Sequence, residues 1–322
     1  MRELKNKTVF VTGASGLIGA AVVRELLLAG ASVIAAGRSV ARLKARLGTA
    51  FGLSFQAYDA TRNNEFSFKA DYLILAASPA SPNLFVERPV DVMLANSVAV
   101  NDLLEYAVRT KVQKVVYVSS SEVYGKLTPP VTGFTEEHFG EIDLSNARSS
   151  YAESKRAAEL LCVSYAKQYG LDISIVRPGH VYGPTATEGD ERVSSLWPRM
   201  AARGDDIVMK SDGTQLRSYV HCCDCASAIL TVLEKGEPAT AYNISNRGSV
   251  VSIKRLAEAI SREAGVRLRL ELPTGEEQKA FNPMPNSSLD ATRLESLGWM
   301  ARYSLEAGVR DTIETIRKEN LS

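Results

Sequence analysis

A doubly wound parallel α/β sheet, with a smaller and discontinuous C-terminal lobe, is the fold this sequence predicts. Three observations lead there. Apolar, β-branched runs alternate with amphipathic helical segments through the first half, as in parallel sheets covered on both faces. A glycine-rich turn, TGASGLIG at 12–19, joins the first strand to the first helix. After Pro178 the alternation loosens: residues 179–215 are rich in Gly, Asp and Thr, and 266–290 hold several prolines.

The elements follow in order. TVFVTG (8–13) reads as a strand and IGAAVVRELLLAG (18–30) as its helix. SVIAAG (32–37) precedes the basic, amphipathic VARLKARLG. LSFQAYD (53–59) and DYLILAAS (71–78) are the third and fourth strands. A single helix is expected over 92–110, then the buried strand KVVYVSS (114–120). YAESKRAAELLCVSYAKQYG (151–170) is a long helix, and DISIVRP (172–178) another buried strand. A helix near 224–235 and a strand, AYNIS (241–245), are expected to return to the main sheet. Residues 1–178 with about 216–248 are therefore expected to form a nucleotide-binding domain. Residues 179–215 and 249–322 are expected to form a substrate lobe.

Lys plus Arg total 38 and Asp plus Glu 37, which argues against a mainly electrostatic nucleic-acid or membrane partner. MRELKNKTVFVTG runs straight into a strand, so no signal peptide is expected, and no apolar run is long enough to span a bilayer. The four cysteines suit a reduced, cytoplasmic location. HCCDC (221–225) looks metal-like. Adjacent ligands wrap one ion poorly and no second Cys/His cluster exists, so it reads as a strand-to-helix junction and no metal is expected.

In the glycine turn, Gly13 permits the bend, Gly16 lets backbone approach a phosphate, and Gly19 lets helix and strand close together. With Ser15, Leu17 and Ile18 they form a candidate pyrophosphate cradle at a helix N-terminus. Strand ends complete the candidate cofactor set: Asp59 and Ala60, Ala76 and Ala77, Ser119, and Pro178. The second strand ends in Arg38 and Ser39, with Arg42 a turn later, where a ribose-binding carboxylate is usual. Arg38 and Ser39 suit a 2′-phosphate, so NADP is favoured over NAD; the alternative is that Arg38 and Arg42 are solvated helix residues.

Tyr151 and Lys155 stand four apart, on one face of a helix. An ammonium and an oxidised nicotinamide both favour phenolate over phenol, whose ordinary pKa is about 10. With Ser120 opposite, such a pair can take the proton of a C–OH while hydride leaves its carbon.

TGASGLIG, SSSEVYG, YAESK, RPGHVYGP, GTQLRSYVH and LDATRLESLGW occur in the order found in the extended short-chain dehydrogenase/reductase family, which the chain resembles over nearly its whole length. ASPASP (77–82), FGEIDLSNARSSYAESKRAAE (139–159) and DERV (190–193) are most similar to its UDP-glucuronate decarboxylase branch. The resemblance implies a Rossmann-type fold, NAD(P)(H) as cofactor, a nucleotide-diphosphate sugar as substrate, and C4 oxidation as the shared step. It implies Ser120, Tyr151 and Lys155 as catalytic, with Ser121 and Glu122 assisting beside the transient ketone. Glu122 also has a bland reading, a carboxylate paired with arginine. Asn96 matches a helix asparagine near the cofactor. Ser78, Arg192 and Arg217 match substrate contacts. His180 stands where the family has asparagine, and is either a substrate contact or a packed ring. A late arginine, expected before the LGW segment, is replaced by AFNPMPNSSLD (280–290). Homodimers through the helices at 92–110 and 151–169 are expected, on Val98, Leu103, Leu104, Leu160, Leu161 and Val163. The competing activity is an NADPH-dependent reductase of a nucleotide-linked keto sugar; a non-catalytic nucleotide-binding regulator is a third reading.

Overall fold

The computed structural model describes residues 4–320 except 62, 63, 65, 67, 80 and 272–284. Ala80 of the ASPASP segment and residues 280–284 of the late replacement lie outside the described residues.

Seven parallel strands build the main sheet. They are β1 (Thr8–Thr12), β2 (Ser32–Gly37), β3 (Leu53–Ala57), β4 (Tyr72–Leu75), β5 (Lys114–Val118), β6 (Ile173–Pro178) and, after three strands of the second lobe, β10 (Ala241–Ile244). Their order is β10-β6-β5-β4-β1-β2-β3. β1 is central: Val9 pairs with Val33 of β2 on one side and Tyr72 of β4 on the other. Every residue of β5 and β6 is buried, which explains runs as apolar as VVYV and ISIV.

Helices α1 (Leu17–Leu28), α2 (Val40–Leu47) and α8 (Cys222–Lys235) cover one face. The small residues Ala20, Ala21 and Ala228 let α1 and α8 lie close to the sheet and to each other. The other face carries α4 (Pro89–Asn96), α5 (Val98–Thr110) and α6 (Ser150–Tyr169), preceded by the short α3 (Pro82–Glu87). The single helix expected over 92–110 is broken at Ser97. Asn96 Nδ2 donates to the Val92 carbonyl and Ser97 Oγ to the Met93 carbonyl, local bonds that compete with the helical ladder. Leu103 and Leu104, expected at a dimer face, are buried in the core instead.

The second lobe centres on β9 (Leu216–His221). It pairs with β7 (His180–Tyr182), β11 (Val250–Ser252) and β13 (Asn286–Ser287), while β8 (Ile207–Met209) pairs with β12 (Leu268–Leu270). Residues 216–221, expected with the first domain, therefore belong with the second sheet, because β9 takes its partners from β7, β11 and β13. Helices α7 (Val193–Ala202), α9 (Ile253–Ala264) and α11 (Leu305–Glu319) bury Trp197, Leu256, Ile260 and Val309 behind these strands. Between α9 and α11 lies the short α10 (Thr292–Ser296). No helix among the described residues is long and apolar enough to cross a membrane.

Candidate active site

The carboxyl ends of β1, β2, β4, β5 and β6 open on one cavity of about 740 Å³. Its floor is the glycine turn. Gly13 has φ +66°, and a Cβ there would stand 2.7 Å from the Ala76 carbonyl oxygen. A Cβ on Gly19 would overlap the Gly13 carbonyl. Thr12 Oγ1 accepts from the Ala76 and Ala77 amides, both at 3.0 Å, and ties the ends of β1 and β4 together. Gly16 caps α1 and no side chain occupies its cap, so the first-turn N–H groups are left to a ligand. This cradle fits a dinucleotide pyrophosphate. Gly13, Ser15, Gly16, Leu17, Ile18 and Gly19 all line the cavity. So do Ala60, Ala76, Ala77, Ser78, Ser119 and Pro178.

At the cavity's far end stand Arg38, Arg42 and Arg46 with Tyr58 and Asp59. Asp59 Oδ1 accepts from the Thr61 amide and hydroxyl. Ser39 does not line the cavity: its Oγ caps α2 by accepting from the Arg42 amide at 3.2 Å. The segment 183–192 closes the cavity from above. Thr185 Oγ1 donates to the Leu17 carbonyl at 2.6 Å, Arg46 Nη2 to the Ala186 carbonyl at 3.1 Å, and Arg199 Nη1 to the Thr187 carbonyl at 2.8 Å. The sequence reading missed Arg46 and Tyr58, and singled out only the ends of this strap, in RPGHVYGP and in DERV with Arg192. Arg46 had a signal, since it follows Arg42 at helical spacing; the middle of the strap had none.

Tyr151 lies in the first turn of α6 and Ser120 caps the turn after β5; both line the cavity. Phe85 stacks on the Tyr151 ring at 4.2 Å and 9°, leaving the phenol 8 % exposed. Burial first, then Glu122, push that phenol up to about 12; Ser120 and Arg192 pull the other way. Lys155 stands near, with Nζ 5.9 Å from the centre of the Tyr151 ring, but bonds a different partner. Its Nζ donates to the Val118 carbonyl at 2.8 Å and lies 4.8 Å from the Tyr117 ring. Burial lowers its pKa to about 7 against the partial support of Glu159. Asn96 is fully buried and lines nothing; its Nδ2 donates to Ser154 Oγ at 3.1 Å, and its neighbour Ala95 meets the cavity instead. An amide spent on Ser154 secures the turn between Tyr151 and Lys155.

Beyond Tyr151 sits a cluster of charges. Arg148 forks onto both Glu122 oxygens at 3.3 Å, the paired arrangement weighed for that carboxylate. Arg192 forks onto Asp190 at 2.9 and 2.6 Å and lines the cavity. Arg217 is 3 % exposed, on β9. His180, at the start of β7, lies edge-on to Tyr219 with Nδ1 buried and unpartnered. Burial, then Arg217 and Arg192, press it down to about 3, so the ring is neutral near pH 7. Ser121, Glu122, His180 and Arg217 stand beside the cavity rather than in its wall, and Ser121 is buried. A second cavity, of about 760 Å³, lies at the β10 edge against Leu160, Val163 and Arg177 and contains none of these groups.

The chain is 29 % identical to UDP-glucuronic acid decarboxylase 6 of Arabidopsis thaliana over 94 % of its own length and 87 % of the relative's. It is 28 % identical to dTDP-4-dehydro-6-deoxy-D-allose reductase of Streptomyces bikiniensis, over 97 % and 96 % of the two chains. Among solved structures, UDP-N-acetylglucosamine 4-epimerase from Methanobrevibacter ruminantium M1 superposes with a TM-score of 0.85 at 23 % identity, over 98 % of this chain and 99 % of that one, and so shares the fold. The NAD dependent epimerase/dehydratase family matches residues 9–245, a stretch that takes in the cradle, the serine turn and the Tyr151–Lys155 helix. The chain belongs to the NAD dependent epimerase/dehydratase family.

Proposed function

We propose that the chain modifies a nucleotide-diphosphate sugar through transient oxidation at C4, with decarboxylation, dehydration or epimerisation following at the activated carbon. One observation carries this reading: the glycine cradle, the Tyr151 phenol and Ser120 open on a single cavity. Relatives named for UDP-glucuronic acid decarboxylation and for reduction of a dTDP-linked keto sugar support the substrate class.

Bound NAD(P) supplies hydride acceptance and return. Tyr151 Oη takes the proton of the sugar hydroxyl while Ser120 Oγ bonds the same oxygen. A phenol raised to about 12 is a poor proton acceptor until positive charge is added beside it. Lys155 is placed to add it, by leaving the Val118 carbonyl. Glu122 then moves a proton at C5 or C6, once an anionic group of the substrate has drawn Arg148 away. Arg192, Arg217 and neutral His180 hold the diphosphate or a sugar carboxylate. The cofactor domain is assigned to 4–178 with 222–248, and the substrate lobe to 179–221 with 249–320. A homodimer and a cytoplasmic location complete the proposal; four unpaired cysteines suit a reducing compartment.

A net reductase is the second reading, favoured by Arg38, Arg42 and Arg46 along the adenosine end, which suit NADPH. One experiment separates the two. The purified protein and its Glu122→Gln variant are incubated with UDP- and dTDP-sugars and their keto forms, with and without added NADPH, and products are read by mass spectrometry. A keto sugar trapped by Glu122→Gln establishes internal redox. Dependence on stoichiometric NADPH, with Glu122→Gln fully active, replaces it with the reductase.

A further inference from the structure

His221 ends β9, and Cys222 and Cys223 begin α8. The sequence argued against an ion here because consecutive residues surround a single centre poorly. The fold meets that objection. His221 is extended (φ −67°, ψ 144°) and the helix starts at the next residue, a sharp bend that gathers three ligand atoms. A His221 ring nitrogen, Cys222 Sγ and Cys223 Sγ lie within 4.8 Å of one another. With Zn–S near 2.3 Å and Zn–N near 2.0–2.1 Å, tetrahedral ligands stand roughly 3.4–3.8 Å apart, so closure needs about 1 Å of side-chain movement.

Two further observations point to a ligand. The His221 ring is wholly buried, and its Nδ1 has no hydrogen-bond partner. Buried polar atoms are seldom left so. The second is Asp311, brought in by α11, whose Oδ2 lies 3.2 Å from His221 Nε2. A carboxylate beside an imidazole fixes the tautomer and raises the basicity of a metal-ligating ring. Tyr182 and Tyr303 flank that ring at 5.5 and 4.1 Å and hold it in place. Cys222 is buried and Cys223 half-buried, so an ion enters from the Cys223 side. Both thiols stand in the first turn of α8.

We infer that His221, Cys222 and Cys223 bind a soft divalent cation of the zinc class, with Asp311 orienting the histidine and a water as fourth ligand. Two thiolates balance the charge of the ion, and their two protons pass to solvent on binding. The site is structural. None of the three residues lines the cofactor cavity, but Cys222 Sγ fills the space beside Gly183, where a Cβ would overlap it. An ion there fastens the β9–α8 junction to the root of the strap.

The test uses full-length protein, reduced and stripped with a chelator, titrated with Cd²⁺ and followed by thiolate-to-metal absorption in the near ultraviolet. One Cd²⁺ per chain is expected, displaced by Zn²⁺ and not by excess Mg²⁺. Cys222→Ser and Cys223→Ser are each expected to weaken binding at least tenfold, and Cys162→Ser and Cys225→Ser to leave it unchanged. Cys223 is half-buried, so its variant keeps the test decisive if the Cys222 variant does not fold. Asp311→Asn is expected to weaken binding about 10–100-fold at unchanged stoichiometry. Absence of the band in the wild type, or its persistence in the double Cys222→Ser/Cys223→Ser variant, overturns the site; unchanged affinity in Asp311→Asn removes the orienting role.

Discussion

Tyr151 and Lys155 show how far residue spacing reaches and where it stops. That both occupy one helix near a serine-bearing strand end was legible, because helical periodicity fixes it. That Lys155 faces the Val118 carbonyl was not, since it depends on an acceptor from another element. Tyr151→Phe keeps the ring on Phe85 and removes the ionisable group. Turnover is expected to fall by ~10²–10⁴ with cofactor binding intact; full activity in that variant excludes the mechanism in both readings. Lys155 also leaves a mark on stability. Its folded pKa, near 7, lies below its ordinary 10.5, so between those values the unfolded chain holds the extra proton. Stability of cofactor-stripped protein therefore rises with pH from about 7, by up to about 1.4 kcal/mol per unit. Denaturant titrations between about pH 7 and 8.5 are expected to show this rise in the wild type and not in Lys155→Met. Equal slopes mean that the ammonium is not desolvated. Arg38 lines the adenosine end of the cavity, and the cofactor preference proposed for it can be tested directly. NADP(H) is expected to bind more tightly than NAD(H), and Arg38→Asp to reverse that by tenfold or more, from a contact worth roughly 1.5–3 kcal/mol. Equal affinities in the wild type end the preference.

Among elements, the strands were the easiest to read. β5 and β6 are buried on both faces, so their composition announces them without reference to neighbours. The break between α4 and α5 was hidden because apolar periodicity continues across Ser97, and only side-chain bonds back to Val92 and Met93 interrupt the ladder. β9 was not read as a strand, only placed by number with the first domain, and its partners β7, β11 and β13 come from three separate segments. The strap at 183–192 has no period at all; it is defined by tertiary bonds to Leu17 and Arg46. Those bonds are testable. Arg46→Ala removes a charge-assisted bond of roughly 1.5–3 kcal/mol, so cofactor release is expected to quicken about tenfold or more. Stopped-flow fluorescence of displaced cofactor measures it, and an unchanged rate means the strap does not gate exit.

On the scale of the whole molecule, the faces of α5 and α6 turned away from the sheet remain apolar. Val98 is 48 % and Leu160 67 % exposed, and Leu94 and Val163 add to the same side of the sheet. A homodimer burying them is expected, and Leu160→Glu is expected to convert it to a monomer in sedimentation at micromolar concentration. A wild-type monomer at that concentration rules the pairing out. The opposite edge strand is guarded: the Asn243 amide donates to Glu136 and its side chain to the Phe134 and Asp290 carbonyls, which blunts β10 as a template for further strands. The strap has a consequence for bookkeeping in time. A catalyst that borrows a hydride and gives it back depends on the intermediate staying until repayment. On the proposed internal-redox reading, a keto sugar that escapes early strands the protein in the wrong oxidation state; with a strap that gates exit, the bonds at Leu17 and Ala186 then set how long each such mistake lasts.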